Sequence, residues 1–77
     1  MIIDLIDELY ESGELRPLMR CGIISPQILS YRKIYHAYQE RIDSGRKKME
    51  ANDDVCFVFN VSQRQVYRVL EIMRQEC

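Results

Sequence analysis

The sequence predicts an all-α fold, a small bundle of four to five helices. Two observations carry this. Apolar residues recur at offsets of three and four along most of the chain, and serine, proline, glycine and asparagine punctuate those runs where helices start and stop. A third is the lack of a partner for the one β-rich run, VCFVFNV at 55–61. A lone strand there would leave its backbone groups unpaired.

The elements follow in order. Residues 2–12 place Ile2, Leu5, Ile6, Leu9 and Tyr10 on one face, with Asp4, Asp7, Glu8 and Glu11 mostly opposite. This is an amphipathic helix, and Gly13 is a natural left-handed stop. In ELRPLMRC, Pro17 can start a short helix that ends at Gly22. Ser25-Pro26 is a start signal: serine caps free N–H groups and proline fits the first helical position. Ile28, Tyr31, Tyr35, Tyr38 and Ile42 then repeat at helical spacing, widened by Leu29 and Ile34, until Ser44-Gly45 ends the longest helix. The tyrosines could form a stacking platform for bases. The better reading is core and rim, because tyrosine buries its ring and keeps its hydroxyl wet.

Helical phasing also resolves 46–59. From Arg46 onward, Ala51, Val55, Cys56, Val58 and Phe59 share a face, while Glu50, Asp54 and Phe57 lie away from it. Asn60 suits the left-handed conformation of a sharp corner. Val61 can plug the angle between two helices. Ser62 is an N-cap, and Gln65 completes an S-x-x-Q capping box. Val66, Val69, Leu70 and Met73 then face inward. The chain is read as one domain, with N-terminal helices over 1–45 and a helix, turn and helix over 46–77.

Bulk properties narrow the function. With 77 residues, 47% of them hydrophobic, the chain can build a core and is not disordered. No stretch is long and apolar enough to span a membrane. MIIDLIDELY has no basic region ahead of its apolar residues, so it does not read as a signal peptide, and a cytoplasmic protein is expected. Cys21, Cys56 and Cys77 are widely spaced and odd in number, which suits reduced thiols rather than a metal site or disulfide framework. No metal or cofactor is expected. His36 reads as a surface or half-buried helix histidine. With no nucleophile beside a histidine and no glycine-rich phosphate loop, an enzyme is not expected.

The run Cys56-x-x-x-Asn60-Val61-Ser62-x-x-x-Val66-Tyr67-x-x-Leu70 resembles the helix-turn-helix of DNA-binding proteins. Cys56 stands at the small position, Asn60 at the glycine position, and Val61-Ser62 and Val66 match directly. NVSQRQVYRVL resembles the C-terminal helix-turn-helix of phage middle-operon transcription regulators and related bacterial regulators. The resemblance covers the last third of the chain. It implies a regulator of phage or mobile-element type, binding double-stranded DNA as a homodimer. The second helix of such a motif enters the major groove. Ser62, Gln63, Arg64, Tyr67 and Arg68 are then the candidates for base contact, since arginine matches guanine and glutamine matches adenine. Arg46, Lys47 and Lys48 are candidates for phosphate contact, or a solubilising run with the helix starting after it. The N-terminal helix, through Ile2, Ile3, Leu5, Ile6 and Leu9, is the expected dimer surface where the core does not use it.

Some features point elsewhere. The net charge is only −1, with −2 over residues 1–43 and +1 over 44–77. Asp53 and Asp54 would repel phosphates if they face DNA, and Glu71 can neutralise Arg68. Phe57 falls outside the inward face, so it packs on the N-terminal helices or marks a protein interface. The rival reading is a protein-interaction module or complex subunit that binds no DNA.

Overall fold

A computed structural model describes residues 1–76; Cys77, read above as a reduced thiol, lies outside them. Five helices follow in order: α1 (Ile2–Ser12), α2 (Leu15–Arg20), α3 (Gln27–Asp43), α4 (Lys48–Phe59) and α5 (Gln63–Met73). No strand occurs among the described residues, and no described helix is long and apolar enough to cross a membrane.

The centre of the fold is α3, which packs on α1, α4 and α5, while α4 and α5 also pack on each other. Ile34, Tyr35 and Tyr38 of α3 meet Ala51 and Val55 of α4 and Val66, Val69, Leu70 and Met73 of α5 in one apolar cluster. Tyr31 and Ile42 pack at its edge, so the tyrosine stripe is core and rim as its spacing predicts. Closing the cluster from the other end of the sequence, α1 contributes Ile3 and Ile6, and the Ile2 N–H donates to the Gln75 carbonyl at 2.8 Å. By contrast, α2 packs only on α1, and its buried Leu15 stands outside the main cluster.

The helix boundaries follow from local chemistry. Gly13 takes φ 79 after α1, and its N–H bonds back to Tyr10. Pro17 does not open α2 as expected. It sits inside the first turn, where a missing N–H is equally harmless because no intrahelical acceptor awaits it. Ser25 Oγ accepts from the Gln27 N–H at 3.3 Å, placing the serine start signal at α3. The basic run Arg46-Lys47 precedes α4, whose cap residue Lys47 is extended. The helix thus starts inside the basic run of Arg46, Lys47 and Lys48 and not after it, so Lys47 and Lys48 stand at its positive end, with Glu50 in the first turn as a partial offset.

Two faces are rotated from their expected positions. On α1, Leu5 is 47% exposed and Tyr10 is also exposed, while Ile3 is buried. The covered edge is the one that buries Ile3 and Ile6, and Asp7 on it meets Arg32 and His36 of α3. On α4, Val58 is 59% exposed instead of inward, because the face packed on α3 and α5 is centred on Ala51, Asn52 and Val55. Phe57 packs on no N-terminal helix; it is 89% exposed.

Candidate functional site

The corner between α4 and α5 is three residues long and rigidly specified. Asn60 is left-handed, with φ 54 and ψ 49. Its N–H and that of Val61 both return to the Cys56 carbonyl, which closes the last turn of α4. Val61 packs against the core from the angle. Ser62 is extended, and its Oγ accepts from the Gln65 N–H at 3.1 Å, the serine half of the predicted box. These bonds fix where α5 starts relative to α4.

Beyond the cap, α5 separates cleanly into two sides. Val66, Val69, Leu70 and Met73 are buried; Ser62, Gln63, Arg64, Tyr67 and Arg68 are all exposed. Arg74 continues the exposed side. Tyr67 and Arg74 share with Lys48, Tyr38, Leu70 and Glu71 a shallow groove of about 450 Å³. That groove brings the beginning of α4 beside the outer face of α5. Lys47, Lys48, Arg64, Arg68 and Arg74 make no ion pair among the described residues.

Other sequence candidates stand differently. Arg46 is paired with Asp54, which also meets Arg41 at 3.5 Å, so Arg46 is already neutralised within the chain. Asp54 is thereby compensated and its predicted repulsion of phosphate is muted. Gln63 donates to Asp53 at 2.8 Å, which ties the first residue of α5 to α4 and leaves a carboxylate beside it. Glu71 shares the exposed side at i+3 from Arg68 and i+7 from Arg64. No ion pair joins it to Arg68 among the described residues, so the expected neutralisation is not formed.

Two features escaped the sequence reading. The first is the Asp7 cluster: Arg32 Nε donates at 2.7 Å, His36 Nε2 lies 2.9 Å away, and the Arg32 guanidinium stacks 4.0 Å from the Tyr10 ring centre. Its members are 25 and 29 residues apart in sequence, so no local spacing announces it. The second is Asn52, 1% exposed, whose Oδ1 accepts from Cys56 Sγ at 3.3 Å while Nδ2 has no partner among the described residues. Burial, with Asp53 adding to it, pushes the Cys56 thiol above its ordinary value, more than its own backbone hydrogen bond offsets.

Comparison with family models, curated proteins and solved structures gives no match.

Proposed function

We propose that the chain binds double-stranded DNA through α4, the Asn60 corner and α5, as a transcriptional regulator of the phage or mobile-element kind. One observation carries the reading: a helix fixed at its start by a rigid corner presents Arg64 and Arg68, with Arg74 at its end, and none of the three is in an ion pair among the described residues. Arg64 and Arg68 are like charges at i,i+4, which costs a free helix a few tenths of a kcal/mol. A phosphate or base edge removes that cost. Lys47 and Lys48 contact phosphates and set register, and Gln63, Arg64, Tyr67 and Arg68 approach bases from the N-terminal half of α5. A body of 37 × 21 × 19 Å covers about one turn of duplex, so a homodimer on two half-sites is the assembly that gives useful affinity.

The test is fluorescence anisotropy with mixed-sequence duplex DNA, at low and then moderate salt. Binding should weaken steeply with salt, because neutralised phosphates release counterions. Arg64→Ala/Arg68→Ala should weaken it, while Lys47→Ala should weaken all sequences alike and flatten the slope by about one unit for its lost phosphate contact. On a preferred site, Arg64→Ala should cost about 1–3 kcal/mol, as expected for a lost base contact. Absence of binding even at low salt defeats the reading.

A second reading has its own support. Phe57 and Val58 are large apolar residues standing in solvent on α4. They favour a protein-interaction module, in which Asp53 and the near-neutral charge are no handicap.

A further inference from the structure

A cleft of about 470 Å³ opens where α2 stands away from α3, with α1 as its third wall. Its volume falls in the range of small-molecule sites. Leu15, Met19 and Leu29 give it an apolar lining, and Tyr10 adds an aromatic edge. Its charges all have one sign: Arg16, Arg32 and Lys33 line it, and no carboxylate does. Arg16 and Lys33 make no ion pair among the described residues. Arg32 is held before any ligand arrives, its Nε on Asp7 and its plane over Tyr10. Its terminal nitrogens make no hydrogen bond among the described residues, which leaves the forked side of the guanidinium for an incoming acceptor.

We infer that this cleft binds a small amphipathic carboxylate, an organic acid with an apolar body. The carboxylate accepts from Arg32, whose fork matches it and whose ordering cost is already met, while Arg16 and Lys33 add attraction. The body covers Leu15, Met19 and Leu29. A bare inorganic anion would leave those side chains wet, and an uncharged hydrocarbon would leave the two unpaired cations, Arg16 and Lys33, facing an apolar surface. The occupied cleft joins α2 to α3, two helices that do not otherwise pack together. The inference is independent of the DNA reading, since it uses none of the α4 or α5 residues.

The experiment is a titration of the ¹⁵N-labelled chain with octanoate, octan-1-ol and acetate, followed by amide shifts. Octanoate should saturate, with the largest shifts at Tyr10, Met19, Leu29 and Lys33. It should bind about ten-fold more tightly than octan-1-ol, the worth of one charge-assisted hydrogen bond. Acetate should bind weakly, lacking the body. Arg16→Gln/Lys33→Gln should weaken octanoate binding with helix content unchanged. Equal affinity for octanoate and octan-1-ol, shifts centred on other helices, or no saturation with octanoate would each overturn the inference. Should the double variant not fold, the shift map and ligand ranking of the unaltered chain still decide it.

Discussion

Asn52 is a polar side chain closed into an apolar core with half of its amide unanswered. Leaving a buried N–H₂ without a partner costs about 1–3 kcal/mol. Valine is closer in volume than leucine and has no such need, so Asn52→Val should raise stability by about 1 kcal/mol in urea unfolding. A loss instead would mean that Nδ2 has a partner in solution. Its neighbour Cys56 gives a second residue-scale expectation. Because the thiolate is the reactive form and burial disfavours it, iodoacetamide should modify exposed Cys21 well before Cys56, read by peptide mass mapping. The folded chain holds the Cys56 proton to higher pH than the unfolded chain does. The stability this gives is complete below the unfolded value, about 8.5, and is lost as pH rises through the folded one. Cys56→Ala should therefore flatten the alkaline decline of the urea midpoint. Neither residue's role was legible beforehand. Asparagine reads as polar surface, and its burial depends on where α3 and α5 meet α4.

At the scale of elements, the Asn60–Ser62 corner is the part most fully determined by local sequence. Asparagine tolerates the left-handed region and serine accepts the early N–H of the next helix, so both roles can be read from residue type alone. Asn60→Ala should cost about 1 kcal/mol, while Asn60→Gly should be nearly neutral. Ser62→Ala should cost about 1 kcal/mol through the lost cap. Denaturant midpoints check all three, and a harmless Asn60→Ala would mean that the corner relaxes elsewhere. Helix faces were less legible than helix ends. Hydrophobic periodicity finds α1 and α4 but does not say which edge of a broad apolar arc is covered. On α1 the covered edge carries Asp7, whose partners are 25 and 29 residues away, and on α4 it carries Ala51, Asn52 and Val55 against α3 and α5, and so Leu5 and Val58 turn outward. The same limit applies to Arg46. Its spacing groups it with Lys47 and Lys48, while the fold hands it to Asp54.

For the whole molecule, the burial of Ile3 and Ile6 removes most of the apolar surface expected to hold a dimer on α1. What remains exposed there is Leu5 and the Tyr10 ring among Asp4, Glu8 and Glu11, with Ile2 and Leu9 half-buried. Of the large apolar groups left in water, Phe57 of α4 is the most exposed, with Met49 and Val58 on the same helix and Ile23 in the connection between α2 and α3. Phe57→Ser should shift stability by less than about 0.5 kcal/mol, as for other exposed substitutions. The same variant separates the two functional readings. DNA affinity unchanged per protomer places the work on α5, whereas loss of a protein complex with DNA binding absent from both forms places it on α4. The base-contacting candidates were legible because α5 is amphipathic, and its outward residues follow once Val66, Val69, Leu70 and Met73 are taken inward. Whether those residues meet a base is a matter of chemistry outside the chain, to which the anisotropy measurement is addressed.

The bond from Ile2 to Gln75 has a consequence for the order of events in folding. The α3–α4–α5 contacts close short stretches of chain, whereas docking α1 on α5 closes a loop that spans nearly the whole described sequence. Contacts between the two ends of the chain have the highest sequence separation and are expected to form late, so α1 should clasp the α3–α4–α5 trio after it has assembled. In stopped-flow kinetics, Val69→Ala should slow refolding, while Ile3→Val should mainly accelerate unfolding.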